Sequence, residues 1–141
     1  MNKSVNIHVQ CLYDSTSCNN DVLDYQKLCS EIMNLEQKIR MATICDSNGK
    51  IIFYDRREGI TNLLTPEESR KSLEMAVNSW KTRNELANKL GKGKYVLAEY
   101  ETIKRITMPL GDNLFLYITT EVDADHSKIL DGVRSIESRL K

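Results

Sequence analysis

Four cysteines and two histidines are the residues of this chain best suited to hold a metal or attack a substrate. His8, Cys11 and Cys18 lie close together near the start and could be drawn as three zinc ligands. Their spacing fits no common zinc site, a fourth ligand is missing, and no CxxC pair exists anywhere. A thiol nucleophile needs an adjacent base. His126 opens a helix, and no motif brings either histidine to Cys45. Glu67-Glu68 and Asp123/Asp125 are paired carboxylates, but each pair falls where a helix begins, and acidic residues suit the positive end of a helix dipole. Gly91-Lys92-Gly93-Lys94 has the composition of a phosphate loop, yet it follows a helix, whereas such loops follow a strand. It reads as a helix stop with basic flanks. No catalytic residue, cofactor or metal site is therefore expected, and the chain is read as not an enzyme.

The residues that could bind a macromolecule are also few. Lys89, Lys92, Lys94, Lys104 and Arg105, with Tyr95 and Tyr100, could line one sheet edge as a nucleic-acid surface. Twenty Lys and Arg are balanced by twenty Asp and Glu, so no long-range field gathers nucleic acid or an anionic membrane. A solvated face is the expected role of these cations. The longest apolar run, Leu114–Ile118, is far short of the ~20 residues of a membrane helix. The opening "MNKSVNIHVQCLYDS" lacks the apolar segment of an export signal. A cytoplasmic protein with reduced thiols is expected. Trp80 is expected in the core, with ligand stacking as the lesser role.

These residues must be positioned by elements that the periodicities define. Residues 1–18 read as a tail that is either loose or added to a sheet edge, the loose form being the one expected, and 19–141 as a single α+β domain. Tyr25, Leu28, Ile32, Leu35 and Ile39 recur at helical steps, with Asn20 or Asp21 as cap. Met41–Cys45 and Lys50–Tyr54 flank Asp46-Ser47-Asn48-Gly49, a hairpin whose Asn-Gly pair tolerates the reversal. Thr65-Pro66-Glu67-Glu68 is a capping box with Pro at the first helical position. The helix it starts is expected to reach Leu90, burying Leu73, Ala76, Val77, Trp80, Ala87 and Leu90, and to stop at Gly91. A last helix, capped by Asp123 or Asp125, carries the stripe Ile129, Val133, Ile136 and Leu140, with Gly132 allowing close packing.

Between the second and last helices, Tyr95–Leu110 is strand-like throughout. As one strand it would span ~50 Å, against a radius of gyration of ~14 Å for a domain of this size. It must fold back. Reflection about Thr102 places Val96 opposite Met108, Ala98 opposite Ile106 and Glu99 opposite Arg105, giving an apolar face and an opposed charge pair. Leu114–Val122, apolar on both faces, suits a central strand. The order becomes α-β-β-α-β-β-β-α, a five-stranded antiparallel sheet flanked by three helices.

That order resembles the Roadblock/LC7 family and, more loosely, profilin-like and longin domains, over residues 21 to 141. "ICDSNGKII", Ile44–Ile52, is similar to the family's Asp-x-x-Gly-x-x-Ile hairpin. The chain departs from the family where Arg40-Met41-Ala42 replaces a frequent glycine, and in its long second helix. The stretch Lys94–Leu110 also looks like small uncharacterised archaeal proteins, which implies no function. The Roadblock resemblance implies a homodimer or a heterodimer with a related domain, formed through the second helix and third strand. Such dimers serve as platforms for small GTPases, motor subunits or regulatory complexes.

The second helix gives its own support. Met75 and Leu86 lie away from its core stripe, with Ser72, Ser79 and Thr82 near them, and such a stripe suits an antiparallel helix pair. Met75, Ser79, Thr82 and Leu86 are the expected dimer interface of a non-catalytic scaffold. The alternative is a monomeric PAS- or longin-like sensory domain, with a small molecule held between sheet and helix in a cavity beside Trp80.

Overall fold

The computed structural model of the protein describes residues 8–9 and 25–140. Helix α1 is described over residues 25–33. Strands β2 (Ile39–Asp46) and β3 (Ile51–Arg56) form a hairpin, followed by α2 (Pro66–Glu85) and the one-turn α3 (Ala87–Leu90). Strands β4 (Val96–Glu99), β5 (Ile103–Leu110) and β6 (Leu114–Glu121) lead to α4 (His126–Leu140). These five strands make the expected antiparallel sheet. A two-residue strand β1 (His8–Val9) adds to the outer edge of β3, so the strand order is β1-β3-β2-β6-β5-β4. His8 pairs with Tyr54 and Val9 with Phe53; the rest of the 1–18 tail lies outside the described residues.

Side chains alternate across the sheet, and the two faces bury separate cores. Leu116 and Ile118 of β6 pack with Ala42 and Ile44 of β2 and Ile106 of β5 under Leu28 and Ile32 of α1 and Ile129, Val133 and Ile136 of α4. Phe115 and Tyr117 of β6 point the other way, with Cys45, to meet Leu73, Val77 and Trp80 of α2. Strand β6 is thus covered on both faces, as its doubly apolar sequence required.

The local signals act as their chemistry dictates. Thr65 Oγ1 accepts the Glu68 N–H at 3.1 Å, and Glu68 Oε1 accepts the Thr65 N–H at 2.9 Å. In the first hairpin Asp46 Oδ1 accepts the N–H groups of Asn48 and Lys50, and Gly49 sits at φ 82°. Asp125, not Asp123, caps α4, by accepting the Lys128 N–H. Asp123 pairs instead with Lys38 Nζ at 2.6 Å. Arg40 donates to Glu121 and to the Thr61 carbonyl. Arg57 fastens the end of α1, donating to the carbonyls of Met33, Glu36 and Ile39.

Four expectations are corrected. Ile39 is the first residue of β2 rather than the last of the helical stripe, because α1 ends by residue 33 and the chain turns through Leu35 and Glu36. The second helix does not run unbroken to Leu90. It breaks at Leu86 (φ −93°, ψ 0°), whose N–H goes to the Arg83 and Asn84 carbonyls. The displaced last turn leaves Leu90 80% exposed rather than buried. The β4–β5 hairpin is shifted by one residue: Val96 faces Thr107, Leu97 faces Ile106, Ala98 faces Arg105 and Glu99 faces Lys104. A shift of one exchanges the faces, so Leu97 rather than Ala98 shares a face with Ile106.

Candidate interaction surface

On α2, successive residues advance by about 100°, so Met75, Ser79, Thr82 and Leu86 fall within one narrow stripe opposite Leu73, Val77 and Trp80. The core set is buried, whereas Met75 is 61% and Leu86 50% exposed. Ser79 and Thr82 lie between them and are also accessible. Lys71, Glu74, Met75, Asn78, Ser79 and Thr82 line a shallow depression of about 450 Å³ on this outer face. Arg70 pairs with Glu74 beside it at 3.1 Å. Beyond α2, β4 forms an edge of the sheet, and no strand pairs with its outer side among the described residues. Tyr95 and Tyr100, at either end of β4, are 40% and 48% exposed.

Inside this surface lies a polar cluster that pattern reading missed. The Arg105 guanidinium is stacked near two rings, 5.3 Å from the Tyr100 centroid and 5.7 Å from that of Tyr117. Its Nη1 donates to Ser72 Oγ at 2.7 Å, and Ser72 Oγ lies 2.9 Å from the Tyr117 hydroxyl. Its Nε is buried with no hydrogen-bond partner. Burial pushes the Tyr117 phenol up from its ordinary value, while the Ser72 hydrogen bond and the Arg105 charge pull partly back. The one available signal was Arg105 itself. The reflection about Thr102 set it opposite Glu99 and so supplied a counter-charge that the true register gives to Lys104.

The remaining sequence candidates are scattered. Lys104, adjacent to Arg105, points to the other face, where it is buried and donates to the Ala124 carbonyl and meets His126 Nδ1 at 2.9 Å. The expected basic edge is therefore split between the two faces, and His126 at the start of α4 is a hydrogen-bond partner of Lys104. Trp80 is 1% exposed and donates its indole N–H to Thr107 Oγ1 at 2.9 Å. Phe115 lies 6.4 Å away, Arg83 covers the ring, and a Cβ on Gly93 would stand 2.6 Å from Cζ3. Protein atoms thus occupy the surroundings in which a Trp80 ligand was considered.

Cys45 and Cys29 are buried free thiols. Burial, reinforced by Asp46, pushes Cys45 up to about 12. Burial, reinforced by Asp55, pushes Cys29 higher still. Neither is disposed to act as a nucleophile. Among the described residues no three His, Cys, Asp or Glu side chains are grouped to hold a metal. Cys11 and Cys18 lie outside those residues. No helix among them is long and apolar enough to cross a membrane.

The sequence matches no family model and no curated protein. Solved structures do match. The gliding protein MglB from Thermus thermophilus superposes with a TM-score of 0.66 at 12% identity, covering 79% of this chain and 82% of that one. A Roadblock/LC7 domain from Streptomyces avermitilis gives 0.58 at 14% identity, over 81% of this chain and 95% of that one. An MglB described as a tetrameric arrangement gives 0.69 at 13% identity, over 84% and 85%. At these identities the likeness is one of architecture: helices on both faces of the five-stranded antiparallel sheet give this chain the Roadblock/LC7 fold.

Proposed function

We propose that the protein is a non-catalytic, dimerising scaffold or regulatory interaction module of Roadblock-like type. The observation that carries this is the α2 outer stripe: two large apolar side chains, Met75 and Leu86, both at least half exposed, three turns apart across Ser79 and Thr82. Small residues between apolar ends let two antiparallel helices approach closely, and the open β4 edge beside them can extend the sheet into a second copy. A homodimer, or a heterodimer with a related domain, is the assembly this serves. A small GTPase is the partner class that the Roadblock resemblance implies. One structural neighbour of the same fold is described as MglB with a tetrameric arrangement.

Light scattering across a concentration series tests the assembly. A dimer has a mass of ~32 kDa, twice the 16.2 kDa of one chain, as a closed two-fold pair requires. Met75→Asp or Leu86→Asp, at exposed positions, is expected to return the mass to that of one chain with unchanged circular dichroism. An unaltered dimer in both variants would place the interface elsewhere. A wild-type chain that stays monomeric at every concentration would remove the proposal.

A further inference from the structure

The Arg105–Ser72–Tyr117 cluster has more donors than acceptors. Ser72 Oγ already accepts from Arg105 Nη1. Whichever way the Ser72–Tyr117 bond runs, two hydroxyls supply two hydrogens and only one is used between them, so one O–H is left over. Of the guanidinium groups, only Nη1 has a hydrogen-bond partner among the described residues. No carboxylate forms an ion pair with Arg105 among them. The tyrosine rings do not fill this need. The two ring faces offset part of the charge by cation–π attraction but supply no oxygen acceptor to the N–H groups.

We propose that this cluster is an oxyanion-binding site, which takes a carboxylate or phosphate group on Arg105 Nη2 and the spare hydroxyl hydrogen. Three observations converge on it: a half-buried cation with no counter-ion among the described residues, a surplus O–H beside it, and an orphaned Nε–H that marks the cluster as short of acceptors. Ser72 is partly exposed and Tyr100 is 48% exposed, so the cluster borders solvent. It uses residues of one protomer and none of Met75, Ser79, Thr82 and Leu86, with Ser72 one turn before Met75 on α2.

The test follows the Arg105 Nε–Hε resonance and the tyrosine ring signals by NMR. Inorganic phosphate and, separately, acetate are added to the full chain at constant ionic strength, and to its Leu86→Asp variant, whose new charge lies at the far end of α2 from Ser72. A saturable shift at Arg105 and Tyr117 in both chains is expected. Saturation by phosphate alone assigns phosphate, and by acetate alone a carboxylate; saturation by both assigns a general oxyanion site. Arg105→Lys keeps the charge but loses the fork, and is expected to weaken the apparent affinity about tenfold. Ser72→Asp places a carboxylate beside the guanidinium and is expected to abolish the titration while raising the thermal midpoint without added anion. Linear, non-saturating shifts with both anions would overturn the proposal. So would a Ser72→Asp variant that folds and still titrates like the parent.

Discussion

Gly132 offers a substitution whose sign depends on one neighbour. It lies in α4, facing the turn that follows α1, and a Cβ built on it would stand 2.5 Å from Leu35 Cδ2, 2.7 Å from Cδ1 and 3.0 Å from Cγ. Carbon atoms pack best at about 3.5–4.0 Å, so Gly132→Ala forces Leu35 to withdraw by about 1 Å. Overpacking of this kind costs about 1–3 kcal/mol. Against it stands the helix preference of Ala over Gly, about 0.8–1.0 kcal/mol. The net expectation is a loss of about 1 kcal/mol in the parent. All three nearest atoms belong to Leu35, so the overlap disappears in a Leu35→Ala background. There the same substitution should stabilise by about 1 kcal/mol through helix preference alone. The coupling between the sites is then about 1–3 kcal/mol, in the range of contacting residues. Urea unfolding followed by the single tryptophan measures all four corners of the cycle. Equal stabilisation by Gly132→Ala in both backgrounds would refute the close packing of α4 on Leu35.

Three further outcomes follow from single contacts. Thr107→Val leaves the buried Trp80 N–H without its acceptor and should cost about 1–3 kcal/mol, with Thr107→Ser largely restoring the loss in the same urea assay. Thr65→Ala removes one half of the capping box and should cost about 1 kcal/mol, read from the urea midpoint. Cys45 is held above its ordinary value of 9.0, at about 12, so its contribution is complete below pH 9 and is lost as pH climbs toward 12. The parent should lose up to about 1.4 kcal/mol per pH unit more than Cys45→Ala between pH 9 and 11. Parallel pH profiles would count against burial of that thiol.

Legibility in the sequence tracked how local each determinant was. The capping box at Thr65 and the Asp46–Gly49 turn are written in four consecutive residues each, and both formed as read. The α2 stripe needs only a period, and Met75 and Leu86 do stand outside while Leu73, Val77 and Trp80 stand inside. The β4–β5 turn carries no Gly, Asn or Pro, so its centre rested on side-chain matching. Two registers one residue apart both gave a cation opposite Glu99, Arg105 in the reading and Lys104 in the fold. The break at Leu86 had no breaker residue either, and Leu90 was misplaced with it. The Arg105 cluster joins residues 33 and 45 positions apart, brought together only when α2 lies down on β5 and β6. No spacing rule reaches that far.

The two-residue strand β1 has a consequence for how large an assembly can grow. A sheet with both edges bare can add a copy at each side, and the product of every addition still offers an edge. Here Phe53 and Tyr54 at one edge already hold His8 and Val9 of the same chain. The other edge, at β4, has no strand on its outer side among the described residues. Pairing two such sheets at β4 would use up those edges and leave a very short edge strand at each end. In a pair joined at β4, the two-residue edge at His8–Val9 would offer a further copy little backbone to join, disfavouring an endless ribbon.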